Sequence, residues 1–173
     1  MESRGNEQAR PITDFLVQDH RRLETLLQQA VAPADHIDQG AYAQFRAGLL
    51  RHIGMEEKIL LPAVQGLRGE GPLPIASKLR LDHGALATLL IPTPTAAVIA
   101  TIRGILKDHN IIEEGPGGLY ETCDELAGGD AARILAKLQA APEVAVLPHS
   151  DTPTVMSTLH RVLERAGYTL YEM

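Results

Sequence analysis

The chain has 173 residues, a length that suits one domain with room for a small appendage. Hydrophobic residues make up 45% and charged residues 22%, enough for a sizeable core and too mixed for disorder, and no apolar run approaches the roughly 18 residues of a membrane helix. The net charge of −6, the lack of any Lys/Arg block and the absence of Trp argue against nucleic acid and anionic membranes as partners and leave the core to aliphatic side chains. The N-terminus, MESRGNEQAR, has no apolar stretch of the kind a secretory signal carries. Pro11-Ile12-Thr13-Asp14 reads as a helix start with Thr13 or Asp14 as cap, and Phe15, Leu16, Leu23, Leu26 and Leu27 continue a 3.6-residue stripe to about Val31. A second helix is expected from Asp38 to about Leu67, with Pro62 as a kink. Glycines and prolines between Gly66 and Pro74 mark a loop. A third helix covers Ile75 to Leu90, and a fourth runs from near Thr95 to at least Glu114.

Gly115-Pro116-Gly117-Gly118 breaks the pattern and lacks the spacing of a phosphate loop. Leu119 to Leu126 resumes a helical rhythm, and Asp130 is placed to cap a short fifth helix ending near Ala140. The single cysteine, Cys123, excludes an intramolecular disulfide and a Cys-rich zinc module, fits a small buried hydrophobe and is consistent with a cytoplasmic location. The tail changes character. Val144, Val146 and Leu147 read as a strand, Met156 to Ala166 as an amphipathic helix closed by Gly167, and Tyr168 to Tyr171 as a second short strand. Residues 1–141 thus form the main unit, and residues 142–173 an appended strand-helix element.

The chain also repeats itself. Asp19-His20-Arg21-Arg22-Leu23-Glu24-Thr25-Leu26-Leu27 aligns with Asp82-His83-Gly84-Ala85-Leu86-Ala87-Thr88-Leu89-Leu90, identical at six of nine positions. Each copy is followed by His-x-x-x-Glu-Glu on the next helix: His52 with Glu56 and Glu57, then His109 with Glu113 and Glu114. Two such hits among seven histidines arise by chance about once in a thousand sequences. Two helical hairpins with this symmetry make an all-α fold, an antiparallel up-down four-helix bundle.

Residues i and i+4 share a helix face, so His52 projects with Glu56 and His109 with Glu113. All four motif histidines lie on stripes of Leu, Ile and Phe and so point inward. Four imidazoles and two carboxylates left unpaired would cost on the order of 10 kcal/mol, comparable to a domain's whole stability. His–Glu pairing could offset part of that; a pair of divalent ions offsets more. Imidazole with carboxylate suits iron, with manganese or zinc as substitutes. The candidate ligands are His20, His52, Glu56, His83, His109 and Glu113. Two dications against two carboxylates leave a charge of +2, which a bridging hydroxide or oxide would reduce. Open positions would accept O2, NO or peroxide. Glu24, four after His20, is a further candidate, although its repeat mate is Ala87. Glu57 and Glu114 are placed on the flank, where either could orient a ligand histidine. Tyr120 is placed at the pocket mouth. His36, His149 and His160 fall outside the motif and are expected in solvent. No Ser/His/Asp or His-Glu-x-x-His pattern supports hydrolase chemistry.

These residues give the chain a resemblance to the hemerythrin-like family, in particular its bacterial HHE cation-binding branch, over about residues 12–140. His20 matches the family's first-helix histidine, and His52 with Glu56 its second-helix pair. His83 matches a third-helix histidine, and His109 with Glu113 the fourth-helix histidine and carboxylate. The resemblance implies a non-haem centre of two iron ions, oxo- or hydroxo-bridged, that binds or senses O2 or NO or handles iron. Ala87 stands where oxygen carriers of this family have a second third-helix histidine, and Glu113 lies four rather than five residues after His109. Both departures weigh against reversible O2 carriage. Competing readings are an oxidoreductase that consumes peroxide or NO, and a metal-free or zinc-bound scaffold that binds partners. Homodimer formation is compatible with all three.

Overall fold

A computed structural model describes residues 9–172, and the first eight residues of the stretch read above for a secretory signal lie outside it. The described residues are helical, with no strand among them. The helices are α1 (Pro11–Ala30), α2 (Gln39–Met55), α3 (Leu61–Arg68), α4 (Ala76–Leu89), α5 (Ala96–Glu114), α6 (Leu119–Ala127), α7 (Ala131–Gln139) and α8 (Pro153–Ala166). None of them is long and apolar enough to cross a membrane.

The first helix is capped from a distance. Pro11 occupies its first turn and Arg10 the cap position, so Thr13 already lies inside the helix and cannot cap it. The carboxylate of Asp124, on α6, accepts instead from Ile12 N at 3.2 Å, Thr13 N at 2.9 Å and Thr13 Oγ1 at 2.7 Å. This satisfies amides that no residue of α1 itself reaches. Asp124→Ala should therefore cost about 1–2 kcal/mol. For a chain of this size that lowers Tm by roughly 2–8 °C, measurable by calorimetry.

The expected long second helix is interrupted. Asp38 caps α2 by accepting from Ala41 N at 3.0 Å, but at Glu56–Leu60 the backbone widens into one π turn before α3 begins. Pro62 gives the reason. It has no N–H, and its ring crowds the carbonyl four residues earlier, so the turn ahead of it opens. Asp130 does not cap α7 with its side chain. Its backbone is already right-handed helical, and its carboxylate accepts from Arg133 Nε at 3.3 Å instead.

The two tail strands do not form. Val144, Val146 and Leu147 find no partner strand among the described residues, and Leu147 is 79% exposed. The backbone near Tyr168 is engaged elsewhere. Tyr168 N donates to Leu163 O, closing α8 beside left-handed Gly167, and Tyr171 N donates to Thr101 Oγ1. The tail helix itself is present, and Leu159, Leu163 and Ala166 bury in the core.

The core divides into two apolar clusters. One contains Leu27, Phe45, Leu86, Ile102 and Leu159, the other Ile12, Leu16, Leu60, Leu79 and Leu119. Along each of α1, α2, α4 and α5 the motif residues fall between these groups, so a polar layer lies between two dry ones.

Candidate metal centre

The repeat delivers one histidine from each of four helices to that polar layer: His20 from α1, His52 from α2, His83 from α4 and His109 from α5. All four are buried, as are Glu56 and Glu113. Each ring has its Nδ1 turned outward to a carboxylate. His52 meets Asp19 at 2.8 Å and His109 meets Asp82 at 3.2 Å. His83 meets Glu57 at 2.6 Å and His20 meets Glu114 at 2.5 Å. The pattern obeys the repeat. The Asp before one histidine holds the histidine of the following helix, and the second Glu of each Glu-Glu pair holds a histidine of the other half. A carboxylate on Nδ1 leaves the lone pair on Nε2.

The four Nε2 atoms face the two glutamates. Glu56 presents Oε1 to His52 at 3.2 Å and Oε2 to His83 at 2.9 Å. Glu113 presents Oε2 to His20 at 3.4 Å and Oε1 to His109 at 2.8 Å. Each carboxylate therefore spans two groups, one formed by His20, His52, Glu56 and Glu113, the other by Glu56, His83, His109 and Glu113. Within each group the candidate ligand atoms lie within 4.8 Å of one another.

Tyr120 stands in the first group and not at a pocket mouth. Gly118 makes this possible. A Cβ there would lie 2.5 Å from Ile112 O and 2.7 Å from Glu113 O, so only glycine lets the chain fold back tightly onto the end of α5. The fully buried Tyr120 hydroxyl donates to Glu56 Oε1 at 2.5 Å. It also lies 3.0 Å from His20 Nε2 and Glu113 Oε2, and 3.2 Å from His52 Nε2. Burial and the two carboxylates raise its pKa well above the usual value, so the hydroxyl keeps its proton.

The second group has no such hydroxyl. Glu56 Oε2, His83 Nε2 and Glu113 Oε1 are buried with no hydrogen-bond partner. The 2.8–2.9 Å approaches of the rings to these oxygens are close enough for hydrogen bonds but misaligned for them. These atoms lie within 4.8 Å of one another without pairing. Unsatisfied, each costs about 1–3 kcal/mol, and a cation among them satisfies all at once. The donor set fits a metal ion on this ground.

Without an ion, protons take its place. Burial lowers the imidazole pKa values, but the carboxylates outweigh it. They push His52 up to about 9 (Glu56 and Asp19), His109 to about 9 (Asp82 and Glu113) and His83 to about 11 (Glu113, Glu56 and Glu57). The same pairing, working against burial and against Glu113, brings Glu56 down to about 2. Asp19 is also held at about 2, by His52 and Arg22.

Residues 11–141 match the family described as hemerythrin HHE cation binding domain. The chain belongs to this hemerythrin HHE family. Neither the curated proteins nor the solved structures compared with it gave a match. The six residues singled out from the repeat come together in this HHE centre, and Glu57 and Glu114 orient histidines from its flank. Three features were not legible: the bracing role of Asp19 and Asp82, and the central position of Tyr120. The repeat did contain a signal for the first two, since Asp19 and Asp82 are among its identical positions. The charge balance also differs from expectation. Six carboxylates, not two, surround the HHE centre, and Arg22, Lys78 and Arg80 pair with Asp19, Asp82 and Glu57. Against two dications these six carboxylates and three cations would leave +1, where two carboxylates alone would leave +2. Glu24 is exposed, accepts from Gln28 Nε2 at 2.9 Å and joins neither group. His36 and His160 are exposed, whereas His149 is half-buried and stacks on Tyr42.

Proposed function

We propose that this HHE chain is an antiparallel up-down four-helix bundle that holds two iron ions and binds or senses O2 or NO there. The bundle reading rests on a ladder of contacts between α1 and α2. Ala30 O accepts from Asp38 N, Leu23 abuts Gly48 and Asp19 meets His52, so α2 runs back along α1. The observation that carries the metal reading is the set of orphaned, convergent atoms on Glu56, His83 and Glu113. His20, His52 and Tyr120 would supply donors to one ion and His83 with His109 to the other, with Glu56 and Glu113 shared. Two nitrogens and shared carboxylates leave the second ion coordination positions for a small ligand. A redox-active pair supplies electrons and open positions. The protein contributes fixed donors, a dry surround and a held proton on Tyr120. A cleft of about 270 Å³ between α1 and α5 reaches the edge of His20, past Leu106, Lys107 and Asn110.

The test is elemental analysis of protein produced with iron supplied, together with an optical spectrum. Close to two irons per chain is expected, with bands that shift on adding azide, O2 or NO. His109→Ala should lower both iron content and Tm, because the ion binds only the folded form. Iron-free protein whose stability is indifferent to chelator would sink the reading. A second reading, consumption of peroxide or NO, is favoured by the Tyr120 proton beside the first position. Steady turnover by the iron-loaded chain, lost in His52→Ala, would establish it.

A further inference from the structure

Residues 142–173 lie outside the family match, yet the described part, up to Glu172, packs against helices that carry the centre. Helix α8 packs its Leu159 and Leu163 into the same cluster as Leu86 of α4 and Ile102 of α5. After Gly167 the chain crosses the two helices that carry His83 and His109. On α5, Tyr171 N donates to Thr101 Oγ1 at 3.0 Å, and the Tyr171 hydroxyl lies where a side chain at Gly104 would begin. On α4, Lys78 Nζ donates to the Tyr168 hydroxyl at 2.9 Å and sits 4.5 Å from the centroid of its ring. The same ammonium pairs with Asp82, whose other oxygen meets His109 Nδ1 at 3.2 Å.

The two halves of the repeat solve one problem differently. Asp19 and Asp82 are both buried and both hold a histidine, so each carboxylate needs a cation. Asp19 takes Arg22 from its own helix, at 2.8 Å. Asp82 is fully buried and takes Lys78, whose flexible stem is 43% exposed. A half-exposed lysine holds one geometry only at a cost in rotamer entropy. Tyr168 restrains that freedom, its hydroxyl accepting from the ammonium at 2.9 Å and its ring centroid lying 4.5 Å away on the same side. We propose that the C-terminal segment is a built-in positioning element for the second metal position, in which Tyr168 fixes Lys78, Lys78 fixes Asp82, and Asp82 orients His109. None of these groups touches the ion. They act through the histidine's direction and basicity.

The inference rests on the two-ion reading, and the experiment separates their failures. Full-length chains, wild type, Lys78→Met, Lys78→Arg and Tyr168→Phe, are titrated anaerobically with Fe(II) against a competing chelator. Wild type should take two ions. In Lys78→Met one ion should bind as in wild type and the other about 10–100-fold more weakly, the usual size of losing a group that orients a ligand histidine. Tyr168→Phe should weaken that same ion by a smaller factor, and Lys78→Arg should retain most of the affinity. A general loss of structure would weaken both ions together, so the split between them is the diagnostic. Two ions bound with wild-type affinity in Lys78→Met, or equal weakening of both, overturns this inference alone. A wild-type chain that binds fewer than two ions overturns it together with the two-ion reading.

Discussion

Replacing Glu113 by alanine is expected to empty both metal positions at once, whereas replacing His20 should empty only one. The difference follows from how the donors are shared. Glu113 Oε2 lies 3.0 Å from the Tyr120 hydroxyl and faces His20, and Oε1 lies 2.8 Å from His109 and 3.7 Å from His83. It contributes to both groups, as Glu56 does; each histidine contributes to one. Without Glu113 each position keeps two imidazoles and one carboxylate oxygen, the first with Tyr120 beside them, and the imidazoles lose the anion that offsets their charge. The expected result is a fall from about two ions per chain to about none in Glu113→Ala, and to about one in His20→Ala, by elemental analysis. Stability should follow. Removing one partner of a buried charged set costs about 3–5 kcal/mol, and an ion present at about a hundred times its Kd adds about 2.7 kcal/mol that the variant cannot recover. The variant's Tm should therefore fall below that of wild type and cease to respond to chelator. Glu113→Gln, which keeps the shape and loses the charge, separates the electrostatic effect from the packing defect: it should lose the ions while melting closer to metal-free wild type. One ion retained at full affinity in Glu113→Ala would show that this carboxylate is not shared.

The helices and the six inward residues were legible because both depend on local periodicity. A residue four positions on lies on the same helix face whatever the fold does elsewhere, so His52 with Glu56 could be read as one unit, and the repeat linked the two halves. What escaped depends on contacts distant in sequence. Asp124 caps α1 from 111 and 112 residues away, and no local pattern at Thr13 reports it. Tyr120 reaches the centre only because the turn at Gly118 folds α6 back onto α5; its neighbours in sequence read equally well as a helix that leaves the site. Asp19 and Asp82 were hidden by commonness, since Asp35-His36 and Asp108-His109 have the same dipeptide without the same placement. The tail strands failed for a related reason. Val144, Val146 and Leu147 make a segment whose composition suits a sheet, but a strand forms only with a partner to satisfy its backbone.

Raising the pH should widen the stability gap between metal-loaded and metal-free protein. In the metal-free chain the carboxylates hold His52 and His109 at about 9 and His83 at about 11, against about 6.5 in an unfolded chain. Groups raised in this way contribute stability in full below pH 6.5 and lose it as the pH climbs through their folded values. Glu56, brought down to about 2, contributes above its unfolded value near 4.5 and loses its share as the pH falls toward 2. Metal-free protein should thus be most stable between about pH 4.5 and 6.5 and should weaken by a few kcal/mol toward pH 9, roughly 5–10 °C in Tm. The loaded protein should respond in the opposite sense. An ion needs each Nε2 free of its proton, so ion and protons compete for the same lone pairs, and raising the pH removes the competitor. Its Tm should stay level or rise over the same range. Loading at pH 7 should release about three or more protons per chain, because the raised imidazoles begin protonated; titration in buffers of different ionisation enthalpy counts them. A gap that narrows with pH, or an ion that binds without releasing protons, would mean that the imidazoles do not face the ion through the nitrogens that the carboxylates now hold protonated.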